Sequence, residues 1–189
     1  MTNNSNTKII AFVGLAGSGK SSVVDYLSEK GYPKVYFGGV VLDAMTEAGL
    51  EHTQENEKPF REALRVREGK DFIANRIIEQ IKKLVEAGQH RIVADGLYTW
   101  TEYKVLKRAF PGELTTVAIV APKRLRHRRL NDRPVRPLTN AEVNARDWAE
   151  IENLEKGGPI AIADYYIIND GSLDELYTKI DETLEQIDF

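Results

Sequence analysis

A glycine-rich turn with a single lysine follows the first apolar run of the chain. Its pattern is Gly14-x-x-x-x-Gly19-Lys20-Ser21, and it stands between a strand-like run and a segment with helical periodicity. Glycines let successive backbone N–H groups converge on an anion, and the helix that follows contributes the positive end of its dipole. The lysine supplies charge to a polyphosphate, and the serine hydroxyl can bind Mg²⁺. The turn is therefore predicted to be a phosphate loop that binds ATP through Gly14, Ala16, Gly17, Ser18, Gly19, Lys20, Ser21 and Ser22.

A carboxylate stands at the end of a later apolar run. Asp95 closes the run of residues 91–95 and is followed by Gly96. Open α/β sheets bind their ligands at the carboxyl ends of parallel strands. If this strand neighbours the first one, Asp95 would orient Mg²⁺ through water or position the attacking group. The alternative is an Asp-Gly turn that only ends the strand; the phosphate loop favours the first interpretation.

Arginine is concentrated in residues 122–138, here called the basic segment. Seven basic side chains stand there against the single acid Asp132: Lys123, Arg124, Arg126, Arg128, Arg129, Arg133 and Arg136. Guanidinium groups neutralise charge on a transferring phosphoryl group. A basic, proline-interrupted stretch between two helices predicts a lid over phosphates. A solvated basic helix and an RNA-contacting patch remain alternatives. Several of the arginines are expected to be solvated, because one helix cannot direct all of them at one site.

Two further arginines fall in a helical stretch between the second and third predicted strands. On a helix Arg61 and Arg65 lie one turn apart and share a face. That geometry offers a fixed surface for a phosphate monoester. The alternative is that both arginines pair with acids on the solvent side, namely Glu57, Glu62 or Glu68.

Composition limits what else the chain can do. Its 189 residues are 42% hydrophobic and 29% charged, which predicts one α/β domain over residues 1–189. A net charge of −3 gives no global field for nucleic acid or an anionic membrane. The absence of cysteine excludes disulfides, Cys-ligated zinc and thiol nucleophiles. Residues 1–7 lack an apolar signal core, and no apolar run reaches the spanning length of about 18 residues. We expect a cytoplasmic monomer or homodimer with no membrane or nucleic-acid partner.

The elements that would position these residues follow from the hydrophobic pattern. Short apolar runs alternate with helical periodicities, which is typical of a parallel sheet with crossover helices. The predicted strands are residues 8–13, 34–37, 91–95, 114–121 and 165–168.

Helices are marked by apolar stripes and by capping boxes. One stripe begins at Phe72 and ends before Gly88, and another follows the box Ser172-x-x-Glu175. A second box begins at Thr139 and predicts a helix with an apolar face. The residues predicted for that face are Trp148, Ile151 and Leu154.

In the order of these motifs, the chain resembles the nucleoside monophosphate kinases, which are adenylate-kinase-like P-loop phosphotransferases. It is most similar to an archaeal branch of predicted nucleotide kinases. The resemblance runs from about residue 8 to the end. Beyond the phosphate loop it rests on Phe37-Gly38-Gly39-Val40, Leu64-Arg65 with Gly69 and Arg76, Asp95-Gly96-Leu97, Arg129-Leu130 with Arg133, Arg146, and the stretch ADYYIINDGSLDEL at residues 163–176.

The resemblance implies a three-layer P-loop NTPase fold with a five-stranded parallel sheet of order 2-3-1-4-5. It also implies a helical acceptor-binding insert at about residues 40–87 and an arginine-rich lid at about residues 132–139. The activity implied is transfer of the γ-phosphoryl group of ATP, with Mg²⁺, to a small phosphate-bearing acceptor such as a nucleoside monophosphate. The residues implied for catalysis are Lys20, Asp95, Arg129, Arg133 and Arg146. Those implied for the metal are Ser21 and Asp95. For the acceptor we predict Gly39, Arg61, Arg65, Gly96 and Tyr98, of which Arg61 comes from the helix geometry above and Tyr98 replaces a residue of the family pattern.

The chain departs from the family pattern on the acceptor side. Gly39 stands where the family usually has a Gly-Asp pair, and Leu97 and Tyr98 stand where it often has an arginine. The C-terminal half is also similar to dephospho-coenzyme A kinases, but their carboxylate-rich motif after the second strand is missing. A dephospho-coenzyme A kinase-like enzyme and a nucleotide-binding regulatory ATPase module therefore remain alternatives.

Overall fold

The runs that were predicted as strands are rich in Ile and Val, and these β-branched residues favour a pleated, buried backbone. The computed structural model describes residues 6–189 and joins these runs into one parallel sheet of order β2-β3-β1-β4-β5. The strands are β1 (Lys8–Val13), β2 (Lys34–Tyr36), β3 (Arg91–Asp95), β4 (Leu114–Val120) and β5 (Tyr165–Ile168). The predicted fold class and strand order are confirmed; β2 and β4 end one residue earlier than predicted. Most of the polar N-terminal stretch, residues 1–5, lies outside the described residues.

Helices cover both faces of the sheet. They are α1 (Lys20–Glu29), α2 (Gly39–Glu47), α3 (Gln54–Glu68), α4 (Phe72–Glu86), α5 (Trp100–Ala109), α6 (Lys123–Asn131), α7 (Asn140–Glu152), α8 (Gly157–Ala161) and α9 (Leu173–Gln186). Both predicted capping boxes are present, at the starts of α7 and α9. Across residues 6–189, no helix has the length and apolar character needed to cross a bilayer.

Alternating residues of β1 divide the core into two layers, because successive strand side chains point to opposite faces. Ile9 and Ala11 pack with residues of α2, α4 and α5, whereas Ile10 and Phe12 pack with residues of α1 and α9. The sheet is therefore buried on both faces, as parallel sheets usually are. This arrangement produces the three layers that were predicted.

Helix α7 is oriented differently from the prediction. Trp148 and Ile151 are 65% and 48% exposed, and Leu154 lies beyond the end of the helix. The residues that α7 buries are Val143, Asp147 and Glu150. The predicted apolar face is therefore wrong. The two carboxylates face inward because basic side chains and a backbone N–H of the phosphate loop are there to bind them.

Strand register brings the predicted carboxylate, Asp95, close to the phosphate loop. Phe12 in β1 pairs with Asp95 in β3, so the carboxylate lies beside the strand that leads into the phosphate loop. Helices α2, α3 and α4 occupy the connection between β2 and β3. Residues 132–139, the range predicted as a lid, connect α6 to α7 without regular structure.

Candidate active site

The phosphate loop is pressed against the strands behind it. At Gly14 φ is +150°, and a Cβ there would lie 2.3 Å from the carbonyl oxygen of Ile119 in β4. At Gly19 φ is +105°, and a Cβ would lie 2.2 Å from Nδ2 of Asn169. Only glycine fits both the backbone angles and the space at these two positions. The two predicted glycines thus set the path of the loop.

The ammonium group of Lys20 lies within the loop. Its Nζ donates to the carbonyl oxygens of Gly14, at 2.6 Å, and Leu15, at 3.3 Å. Burial, followed by the nearby charge of Lys156, lowers the pKa of Lys20 to about 8, although Glu150 acts in the opposite direction. Lys20 is therefore a partly desolvated cation at the loop.

Both polar groups of the Ala16 backbone are held by charged side chains. Its N–H donates to Oε2 of Glu150 at 3.2 Å, and its carbonyl oxygen accepts from Nη1 of Arg126 at 3.0 Å. The side chains of Ala16, Leu130 and Val143 form a small apolar cluster. These contacts hold the loop against α6 and α7. The Ala16 N–H, which belongs to the loop predicted to bind ATP, donates to Glu150 in this structure.

Ser18 and Asn169 form the support behind the loop. Ser18 is 1% exposed, and its Oγ is among the buried side-chain atoms that have no hydrogen-bond partner within residues 6–189. Its carbonyl oxygen accepts from Nδ2 of Asn169 at 2.8 Å. Asn169 follows β5, so this bond fixes the loop to the edge of the sheet that β5 forms. Asn169 was not among the predicted site residues.

In front of the loop lies a cleft of about 520 Å³, here called the loop cleft. The predicted residues that line it are Ala16, Gly17, Gly19, Lys20, Ser21, Ser22, Asp95, Tyr98, Arg129, Arg133 and Arg146. Leu130, Glu150 and Lys156 also line it and were not predicted. The structure therefore brings all five predicted catalytic residues to one cleft, whereas Gly14 and Ser18 lie outside its lining.

Arginines reach the loop cleft from three separate segments. Arg129 of α6 donates through Nη2 to Oδ1 of Asn169 at 3.2 Å, and Arg146 of α7 donates through Nε to Oε1 of Glu150 at 3.1 Å. Arg133 belongs to residues 132–139 and donates to the carbonyl oxygen of Arg136. This convergence concentrates positive charge where phosphates would lie.

One arginine of the basic segment has an unexpected place. Arg126, which matches no family position and was assigned no role in the site, is 6% exposed and forms an ion pair with Asp147 on α7. Arg124 and Arg128 are exposed, in line with the expectation that several arginines of the segment are solvated.

A second cavity of about 210 Å³ lies next to the loop cleft and is here called the insert pocket. It is lined by Phe37, Gly38, Val41, Glu57, Arg61, Arg65, Ile73, Tyr98, Thr99, Glu102 and Leu154. Arg61 pairs with Glu57, and Nη1 of Arg65 lies 2.8 Å from Oε1 of Glu62. Both arginines therefore line the pocket, and both also form the ion pairs with acids that were the alternative interpretation. Gly38 lines the pocket in place of the predicted Gly39, which begins α2.

Tyr98 lines both cavities. Oε2 of Glu102 accepts from its backbone N–H at 2.9 Å, and a Cβ on Gly96 would lie 3.0 Å from its ring. Burial, followed by the nearby charge of Asp95, raises the pKa of Tyr98 to about 12. The phenol therefore stays neutral and can donate a hydrogen bond at the junction. Gly96, a predicted acceptor residue, lies behind the ring and lines neither cavity.

Asp95 and Ser21 are the predicted metal ligands, and both line the loop cleft. Burial, more than any nearby charge, raises the pKa of Asp95. Across residues 6–189 there is no group of three or more His, Asp or Glu that could hold a metal on its own. The hydroxyl of Ser21 and the carboxylate of Asp95 are oxygen donors of the kind that Mg²⁺ accepts beside phosphate and water oxygens.

The sheet order, the loop between β1 and α1 and the cleft at the carboxyl ends of the strands define a P-loop protein with a kinase-like fold. The structure is similar to that of shikimate kinase from Acinetobacter baumannii, with 21% identity, a TM-score of 0.59 and coverage of 95% of this chain and 94% of that one. A sugar kinase from Janibacter sp. is similar at 18% identity and a TM-score of 0.55, over 96% and 95% of the two chains.

A family model described as an AAA domain matches residues 10–148. The chain belongs to the UPF0200 family: it is 35% identical over 182 residues to the UPF0200 protein of Thermococcus gammatolerans, covering 95% of each chain. The predicted likeness to an archaeal P-loop branch is confirmed. The likenesses to nucleoside monophosphate kinases and to dephospho-coenzyme A kinases stay predictions.

Proposed function

We propose that this protein transfers the γ-phosphoryl group of ATP, with Mg²⁺, to a small phosphate-bearing acceptor, and that the acceptor is a nucleoside monophosphate. The observation that carries the proposal is the pair of adjacent cavities that share Tyr98. One has the phosphate loop and three arginines, and the other has two arginines and apolar walls. A donor and an acceptor would meet at the shared residue.

On the donor side, Lys20 and the N–H groups at the start of α1 would hold the polyphosphate. Arg129, Arg133 and Arg146 would neutralise charge on the transferring group, which is the main catalytic requirement of phosphoryl transfer. Ser21 and Asp95 are the residues suited to hold Mg²⁺, which when bound supplies further charge neutralisation at the phosphates.

On the acceptor side, Arg65 would bind the phosphate and Arg61 would assist it. Their present partners, Glu62 and Glu57, are partly exposed, so each ion pair costs little to rearrange. The apolar walls formed by Phe37, Val41 and Ile73 suit a planar base. The neutral phenol of Tyr98 adds one hydrogen bond or a stacking surface.

The test is an acceptor panel assayed for ADP formation. It contains the common ribo- and deoxyribonucleoside monophosphates, dephospho-coenzyme A, shikimate and simple sugars, the last two because structural neighbours are kinases named for such substrates. With the preferred acceptor, Arg65→Ala should raise the acceptor KM or lower turnover by at least about tenfold, the scale of one lost charge-assisted hydrogen bond. The KM for ATP should not change.

Arg67→Ala is the matched control. Arg67 lies on the same helix, pairs with Glu68 and does not line the insert pocket. It should behave as wild type with every acceptor. If the wild-type protein transfers phosphate to no phosphate-bearing acceptor, the proposed function is wrong, and ATP hydrolysis without transfer would favour the regulatory module.

A further inference from the structure

Lys156 is a buried lysine that no sequence motif singled out. It lies between α7 and α8, is 6% exposed and lines the loop cleft. Lysine is almost never fully buried unless its charge is paired. A buried ammonium that borders a cleft rich in arginine therefore needs a physical explanation.

Glu150 is the partner of Lys156, but it does not serve Lys156 alone. Its Oε2 lies 3.0 Å from Nζ of Lys156, and the same oxygen accepts from the Ala16 N–H. Its Oε1 accepts from Nε of Arg146. One carboxylate thus faces two cations and one amide, and the loop cleft keeps an excess of positive charge at this point.

The position of Lys156 relates it to both cavities. Its Nζ lies 4.6 Å from the centroid of the Tyr98 ring, and Tyr98 is the residue that the two cavities share. Its charge also contributes to the lowered pKa of Lys20 in the phosphate loop. Lys156 therefore belongs to the end of the loop cleft that adjoins the insert pocket.

We propose that Lys156 is a second phosphate-binding lysine, which contacts the terminal phosphate of the donor where it meets the acceptor. Glu150 holds the ammonium in place and ties its position to the loop through Ala16. This inference rests on the proposed function and adds to it a residue for the transferred group. A compact ammonium on a pre-positioned stem suits a phosphate oxygen that carries developing charge.

The test compares Glu150→Gln with the double variant Glu150→Gln/Lys156→Met. Both variants lack the buried carboxylate charge, so the comparison removes the ammonium without leaving an unpaired anion. The probe is inorganic tripolyphosphate, whose affinity is measured by calorimetry, together with turnover on the best acceptor. Thermal melting checks that each variant folds; if the methionine variant does not, Lys156→Gln in the same background takes its place.

We expect the double variant to bind tripolyphosphate at least about tenfold more weakly than Glu150→Gln, and to turn over at least about tenfold more slowly. Lys104→Met is the control, because Lys104 lies 5.6 Å over the ring of Trp100 and lines neither cavity; it should match wild type. Equal tripolyphosphate affinity in the two Glu150 variants would overturn the inference and leave Lys156 as a counter-ion. Weaker binding in a protein that transfers phosphate to no acceptor would support Lys156 and refute the proposed function.

Discussion

Arg126 and Asp147 form a buried bidentate ion pair, in which Nη1–Oδ1 and Nη2–Oδ2 are both 2.8 Å. The pair joins α6 to α7, and Nη1 of Arg126 also reaches the carbonyl oxygen of Ala16. The basic segment therefore does two jobs. Arg126 supports the phosphate loop from behind, while Arg129 and Arg133 face the loop cleft.

Arg126→Ala should lower the free energy of unfolding by about 3–5 kcal/mol, because it leaves the buried Asp147 carboxylate without its partner. Denaturant titration measures this change. Arg124→Ala, on the exposed side of the same helix, should change it by less than about 0.5 kcal/mol. Equal effects of the two substitutions would show that the buried pair does not stabilise the fold.

Asn169→Ala should weaken ATP binding by about tenfold and destabilise the protein by about 1–3 kcal/mol. Its side chain donates to the Ser18 carbonyl oxygen and accepts from Arg129, so both the loop and one cleft arginine lose a bond. Calorimetry and thermal melting measure the two effects. The exposed Asn153, replaced by alanine, is the control and should retain ATP affinity. Unchanged ATP affinity in Asn169→Ala would remove Asn169 from the supporting structure of the site.

ATP binding should take up protons above neutral pH. Burial and nearby cations lower the pKa of Lys20 to about 8, so its charged fraction falls as pH rises through that value. Bound phosphates favour the charged form and raise this pKa, which means that affinity decreases with pH and binding is accompanied by proton uptake. Calorimetry in two buffers of different ionisation enthalpy measures the uptake, which Lys20→Arg should reduce. Identical heats in both buffers near pH 8 would mean that no proton is taken up, and would contradict a buried Lys20 that gains charge when phosphate binds.

Arg133→Ala should lower kcat by at least about tenfold while changing ATP affinity little. Charge on the transferred group develops mainly in the transition state, and an arginine that meets it there affects turnover more than binding. Steady-state kinetics and ATP titration separate the two quantities. Arg128→Ala is the control from the same segment, since Arg128 is exposed and does not line the loop cleft. Small and equal effects at both positions would show that Arg133 takes no part in phosphoryl transfer.

The sheet and the loop were predictable because their signals are local. Residues 8–13, 91–95 and 165–168 are apolar runs of strand length, and their predicted bounds match β1, β3 and β5. The glycine and lysine spacing of the phosphate loop is equally local, because each residue acts on the same turn. The strand order came from the family resemblance and not from these runs.

The supporting shell of the site was not predictable in the same way. The helical period of α7 correctly indicates two faces, but it cannot show which face is buried when the inward one carries Asp147 and Glu150. Their partners, Arg126 and Lys156, come from other elements and become neighbours only in the folded chain. Buried charges are rare without such partners, so apolar Trp148 and Ile151 were the more reasonable choice from sequence.

The most direct test uses ATP that is radiolabelled on its γ-phosphate. The protein is incubated with this ATP, Mg²⁺ and the acceptor panel, and the compound that carries the label afterwards is identified. Wild-type protein should move the label to one phosphate-bearing acceptor. Lys20→Ala, which should keep the fold and lose only the loop cation, should do so at least about a hundredfold more slowly. Label that appears only as inorganic phosphate, or that reaches an acceptor equally fast with Lys20→Ala, would contradict phosphoryl transfer at this site.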